Sequence, residues 1–176
     1  TLNEYLILKA IMNLKQNNYD LSQKIISNFS GIEGDNRWYT GSTMIDINND
    51  GLLDIYCSVG GKFSPKNNEL YINNGDKTFT ESAKEYGIDD IGNSVQATFF
   101  DYDKDGDLDL FVGGRNKPGQ YPLPPDSYLL ENENGIFTDV TQKLAPQLKN
   151  AGMITSSSWS DINNDGREDL IVVGEW

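Results

Sequence analysis

The sequence contains no histidine. That removes the commonest general base, the usual nucleophile–imidazole pairs and every imidazole metal ligand. There is one cysteine, Cys57, so an internal disulfide is excluded, and its place in the apolar run Ile55-Tyr56-Cys57 makes it a buried, inert thiol. Basic residues are scarce: 14 Lys and Arg stand against 27 Asp and Glu, for a formal net charge of −13. That balance argues against nucleic acid or an anionic membrane as partner. Long apolar runs are missing as well. Residues 6–12 come nearest, but Lys9 interrupts them, and they fall far short of the roughly 20 residues that span a bilayer. The sequence shows no secretory leader and no membrane span. Beginning at Thr1 and stopping at Trp176 directly after an apolar run, it reads as a piece of a longer chain.

What is present is a repeated acidic pattern. Asp46-Ile-Asn-Asn-Asp-Gly-Leu-Leu-Asp54, Asp101-Tyr-Asp-Lys-Asp-Gly-Asp-Leu-Asp109 and Asp161-Ile-Asn-Asn-Asp-Gly-Arg-Glu-Asp169 place side-chain oxygens at loop positions 1, 3, 5 and 9, with Gly at 6. These positions carry three, four and three carboxylates in the successive loops. The copies start 55 and 60 residues apart, a period that points to a propeller-like array of β units rather than a helical solenoid. A β-prone run precedes each loop (42–45, 95–100, 154–159), and a short apolar run ending in glycine follows it. Each loop therefore joins the two strands of a hairpin.

A second hairpin follows in each complete unit. Residues 69–73 and 78–81 flank Asn74-Gly75, and residues 128–131 and 136–140 flank Asn134-Gly135. Asn-Gly between β-prone runs predicts a tight turn with positive φ at both central residues. Two hairpins per unit make a four-stranded antiparallel sheet. The expected fold is all-β: a partial propeller of about two to three such blades, with the acidic loop between the first two strands of each. Residues 41–91 form one blade, 92–151 the next, and 152–176 the first hairpin of a third. Residues 1–40 allow two readings. Leu2, Leu6, Ala10 and Leu14 would line one face of a helix. Alternatively, aligning Gly31-Ile32 with Gly87-Ile88 makes residues 5–30 the closing hairpin of a preceding blade, and residues 78–86 the last strand of a unit and its exit. The longest insertion, residues 115–126, holds four of the six prolines and is expected to be a stiff surface loop.

The acidic pattern has a chemical logic. Residues 1, 3 and 5 turn their oxygens inward while 2 and 4 point away. Gly at 6 permits the reversal, the carbonyl of 7 faces the ion, and the carboxylate at 9 closes the shell. This gives about six or seven oxygen ligands, which suits Ca²⁺ better than the strict octahedron of Mg²⁺. The candidate ligands are Asp46, Asn48, Asp50, Leu52 (carbonyl) and Asp54; Asp101, Asp103, Asp105, Asp107 (carbonyl) and Asp109; and Asp161, Asn163, Asp165, Arg167 (carbonyl) and Asp169. Three Ca²⁺ ions would bring the formal charge from −13 to −7. With no sulfur or nitrogen donor in the loops, zinc and copper are unsuited. An EF-hand requires Glu at position 12 between helices; here position 12 is Cys57, Val112 and Val172, and the flanks are strands. Three solvated acidic turns would be the bland alternative, but one spacing repeated three times argues against it. The second loop has the highest charge and is expected to bind tightest.

With these residues the chain resembles the FG-GAP/VCBS repeat family, whose propeller blades carry an Asp-x-Asp-x-Asp-Gly-x-x-Asp calcium loop and to which the integrin α-subunit head is distantly related. The resemblance is closest to large bacterial VCBS proteins of the cartilage-acidic-protein-like group. It is carried by residues 34–41, 69–75, 94–103, 121–125 and 152–176. Asn48 and Asn163 replace Asp at position 3, lowering charge without losing an oxygen, and Glu168 fills a position usually apolar. The literal Phe-Gly…Gly-Ala-Pro signature is absent. The resemblance implies a closed propeller of roughly seven blades, the remaining ones lying in the full-length chain, and an exported protein, extracellular or at the cell surface.

The function expected from this is a calcium-stabilised, non-catalytic scaffold binding a protein or carbohydrate ligand. Arg115, Tyr121 and Leu123, then Trp38 and Tyr39, are the candidate contacts. The alternative is a propeller domain of a polysaccharide-acting lyase or hydrolase. Against it, no nucleophile motif is present, and Ser156-Ser-Ser158 and Ser160 lie in a strand with no base nearby in sequence.

Overall fold

A computed structural model describes residues 30–32, 37–61, 67–89, 94–117 and 119–175. The readings made for residues 1–29 lie outside them. Among the described residues ten strands form three antiparallel sheets. The first is β1 (Trp38–Ile45), β2 (Asp54–Gly60), β3 (Glu69–Asn73) and β4 (Phe79–Glu81), in that order. The second repeats it with β5 (Ser94–Phe100), β6 (Asp109–Gly114), β7 (Tyr128–Glu133) and β8 (Ile136–Asp139). The third is the pair β9 (Met153–Ser160) and β10 (Asp169–Glu175). These are propeller-like blades, with each acidic loop between the first two strands of its sheet. β1 starts at Trp38, three residues ahead of the expected unit boundary at 41.

Why β2 and β6 are nearly continuous apolar runs becomes clear from the stacking. Tyr56 of β2 and Leu110 and Val112 of β6 share one cluster with Leu70, Ile88, Ala97 and Phe137, between the first two blades. Phe111 points the other way, into a cluster with Leu129, Leu148 and Ile154 against the third blade. A strand buried on both faces shows no alternation, since every second residue serves a different neighbour. Aromatic pairs sit at the same junctions: Tyr56 meets Phe99 edge-on at 5.6 Å, and Phe100 stacks on Trp159 at 5.3 Å. Cys57 is buried as expected, and burial pushes its thiol up to about 12.

The first strands of neighbouring blades run close together. A Cβ at Gly41 would lie 2.4 Å from the Val95 carbonyl oxygen, so this junction requires glycine; one at Gly113, on the second strand β6, would lie 2.6 Å from Ile154 Cγ2 and push that side chain aside. Thr43 Oγ1 donates to the Ala97 carbonyl at 3.1 Å. Thr98, at the same distance before its loop, donates to the Ser157 carbonyl at 3.5 Å. Each first strand also carries a one-residue bulge, at Thr40, Val95 and Thr155, always six residues before the first Asp of the loop. Bulges raise local twist, and here they recur once per blade.

One local expectation is corrected. Asn134 and Gly135 do adopt positive φ, 55° and 86°. In the first blade, however, positive φ falls on Gly75 and Lys77 rather than on Asn74. That turn is longer: Asn74 N–H bonds the Thr78 carbonyl at 3.0 Å, and Asp76 Oδ1 accepts from Thr78 N at 2.9 Å. The blades leave their last strands through short helical turns. Residues 78–86 divide into the last strand, β4, which stops at Glu81, and an exit turn, α1 (Ala83–Tyr86), ending at Gly87 with φ 76°. In the second blade α2 (Thr141–Leu144) and a 3-10 turn (Pro146–Asn150) take the same place. Such single turns are too short to leave a helical period. No helix among the described residues is long and apolar enough to cross a membrane.

Candidate metal centre

The three loops share one backbone path, and their own side chains draw it. In the second loop Asp101 Oδ1 accepts from Asp105 N at 3.1 Å, and Oδ2 accepts from Gly106 N at 3.1 Å. Asp103 Oδ1 also accepts from Asp105 N, and Asp105 Oδ1 accepts from Asp107 N at 2.8 Å. The first loop repeats each bond with Asp46, Asn48 and Asp50. The third repeats each with Asp161, Asn163 and Asp165. Position 4 holds positive φ in all three, 57° at Asn49, 65° at Lys104 and 58° at Asn164, as do the glycines at position 6. Asn tolerates that region better than most residues. Carboxylates that collect backbone N–H groups in this way pull the chain around a small volume.

Position 9 is set differently. Asp54 and Asp109 open β2 and β6 and are 0% and 1% exposed. Asp109 Oδ2 accepts from Tyr102 N at 3.0 Å, and Oδ1 accepts from Asn132 N at 2.9 Å on the third strand of the blade. Asp54 is held likewise by Ile47 N and by Asn73 N at 2.7 Å. Asp169 accepts from Ile162 N at 3.2 Å; no third strand lies beside β10 among the described residues. Burial raises the Asp109 carboxyl to about 6, with repulsion from Asp103 and Asp105 adding to it and the two backbone bonds opposing it. Asp54 is raised for the same reasons. Burial and neighbouring like charges disfavour the ionised form of an acid, and a cation beside it would favour that form.

In the second loop one oxygen each from Asp101, Asp103 and Asp109 lies within 4.8 Å of the others. Among the described residues this is the one such group of three acidic, histidine or cysteine side chains. With only hard oxygen donors, it fits a cation of the calcium type rather than zinc or copper. In the other loops position 3 is an amide, so they bring fewer charges together. At position 7 the side chains of Leu52 and Arg167 are exposed, and Asp107 Oδ2 accepts from Asn134 N at 2.9 Å. Arg167 adds a departure, since its guanidinium lies 3.3 Å from Asp165 Oδ2 and helps its backbone N–H hold that carboxyl low.

Sequence reasoning missed Asn73 and Asn132. Besides their N–H bonds to position 9, their side chains donate to the carbonyls of Leu53 and Leu108, both at position 8, and accept from Gly75 N and Gly135 N. Each thus ties the acidic loop to the second hairpin. The readable signal was an Asn one residue ahead of Asn-Gly in the first unit and two ahead in the second. Of the candidate ligand contacts, Trp38, Tyr121 and Leu123 are exposed, at 69%, 66% and 54%. Arg115 is instead clamped by Glu175 of the third blade through two bonds of 2.9 and 2.7 Å. Tyr39 donates to buried Glu69, which also pairs with Arg37.

Residues 46–112 match the FG-GAP-like repeat family. The stretch runs from the first Asp of the first loop, through the remainder of that blade and the whole second loop, into β6. A curated relative, Cartilage acidic protein 1 of Xenopus tropicalis, is 33% identical over 147 residues, covering 77% of this chain and 21% of the relative. The chain therefore spans about a fifth of that relative's length. From its first acidic loop to the strand that follows its second, this chain is similar to the FG-GAP-like repeat family.

Proposed function

We propose that the chain is a non-catalytic repeat module of a β-propeller, stabilised by up to three Ca²⁺ ions and serving as a binding scaffold outside the cell. The observation that carries the reading is the Asp101–Asp103–Asp109 group, in which a buried carboxylate converges with two others. A bound cation would supply the charge that these groups lack. The chain's own residues do the rest. Positions 1, 3 and 5 hold the loop by backbone bonds, and position 9 ties it to Asn73 or Asn132 one hairpin away.

The extracellular setting draws support from the similarity to a protein named for cartilage, and kinship with large bacterial VCBS proteins is the finer reading. Free calcium outside cells reaches concentrations that fill sites of the weak extracellular class. The ligand is a protein or carbohydrate, and exposed Trp38, Tyr121 and Leu123 are the contacts offered to it. Isothermal calorimetry with CaCl₂, MgCl₂ and EGTA tests the core of the proposal. Saturable calcium binding with a rise in unfolding temperature is expected, with magnesium weaker. Unchanged stability at ~10 mM calcium, about ten-fold above the weak end of extracellular sites, would sink it.

A further inference from the structure

The loops touch one another in a regular way. Asn49, at position 4 of the first loop, donates from Nδ2 to the carbonyl of Gly106 at position 6 of the second, at 3.3 Å. Lys104, at position 4 of the second loop, donates from Nζ to the carbonyl of Gly166 at position 6 of the third, at 3.4 Å. The peptide groups so reached are also held from the other side. The Gly106–Asp107 peptide gives its N–H to Asp105 Oδ1, and the Gly166–Arg167 peptide gives its N–H to Asp165 Oδ1. One peptide plane therefore connects a side chain of the preceding loop to the position-5 carboxylate of its own loop, and it leads directly into the carbonyl at position 7.

We infer that the three sites fill as a coupled series, each loop orienting the position 6–7 peptide of the next through its position-4 side chain. The inference rests on the calcium reading above and adds a property to it. Binding in one loop fixes the position-4 residue, whose positive φ is set by the bonds around it. That residue then holds the next loop's peptide in the geometry its position-5 carboxylate requires. Coupling is reciprocal, so filling the second site must tighten the first by the same factor. Contacts of 3.3 and 3.4 Å are long for hydrogen bonds, and the expected effect is accordingly a few-fold.

The test is a calcium titration of the 176-residue chain followed by amide NMR, with Gly51, Gly106 and Gly166 as reporters of the three sites. Asn49→Gly removes the donor and keeps the positive φ available. Asn164→Gly is the control, since it makes the same backbone change at a position whose side chain reaches no neighbouring loop among the described residues. Asn49→Gly is expected to weaken the Gly106-reported affinity about three-fold, the size of a modest neutral hydrogen bond, with Asn164→Gly leaving that reporter unchanged. Disabling the first site with Asp46→Asn should lower the Gly106-reported affinity in the natural background and not in Asn49→Gly. Additive effects, with Gly106 unmoved by Asn49→Gly, would overturn the coupling while leaving the calcium reading intact. No saturable shift at any of the three glycines would overturn both.

Discussion

The second and third loops have the same backbone hydrogen bonds and different surroundings. Both wrap their chain with positions 1, 3 and 5, bond for bond. Yet Asp109 is buried and doubly held, whereas Asp169 is only half-buried. The second loop presents four acidic side chains at positions 1, 3, 5 and 9, and its Asp107 leans on the turn at Asn134. The third has Asn163 in place of one acid and an arginine lying on another. Loop shape is therefore a local property, while the readiness of the site for a cation depends on the sheet beside it.

The largest expected effect separates the two position-9 acids. Asp109→Ala leaves the N–H groups of Tyr102 and Asn132 without their acceptor, so in EGTA it should cost roughly 3 kcal/mol of stability. Asp169→Ala should cost roughly 1 kcal/mol. Urea unfolding of both variants measures the difference, and equal costs would mean that the third strand does not matter.

Next in size is the affinity order. The second loop should bind calcium tightest and the third weakest. Asn163→Asp combined with Arg167→Leu adds a carboxylate and removes the cation, and should raise the third loop's affinity about ten-fold or more. A glycine-resolved NMR titration reads it out; an unchanged third site would show that inner-shell charge does not set the ranking.

A smaller effect is the dependence on pH. Asp109 in the folded, calcium-free protein titrates at about 6, above the ordinary 3.8. Because the folded value is raised, the folded state holds this proton more tightly than the unfolded one. The group then favours folding below the unfolded value and works against it as pH climbs through about 6. Calcium must displace that proton, so the second loop's affinity should fall as pH drops through 6, with protons released on binding. Calorimetry in buffers of different ionisation enthalpy would detect the release, and its absence would remove Asp109 from the ligand set.

The smallest effect concerns Arg115. Its pair with Glu175 joins the second and third blades but is exposed at both ends, and exposed pairs contribute little. Arg115→Ala should leave the unfolding midpoint almost unmoved. A large drop would mean that the junction depends on this pair rather than on Ile154 and Leu148.

Much of the architecture was readable because it repeats. The loops, the hairpin order and the three sheets follow from spacing, glycine and alternating oxygens. The unread parts have physical reasons. Asn132 makes its bonds to residues 23 and 24 positions away, which no local pattern announces. Thr40, Val95 and Thr155 are three unlike residues at one bulge position, so the recurrence is one of geometry without identity. Arg115 looked available in a proline-rich loop, and only the approach of the third blade brings Glu175 to it. The turn at Asn74 departed from a two-residue form because Asp76 captures Thr78, a competition between equally plausible local bonds.

What the sequence determined alone is the shape of each acidic loop. Its bonds join residues two to five positions apart, so the same nine-residue pattern closes the same way in all three places, even where the third strand is absent among the described residues. What only the tertiary structure decided is which loops have a buried, doubly held position 9 and which peptide each neighbouring loop reaches. The bonds to the third strand and between loops span 19 to 62 residues, and they exist because stacked sheets bury both faces of their second strands and bring the loops of adjacent blades together.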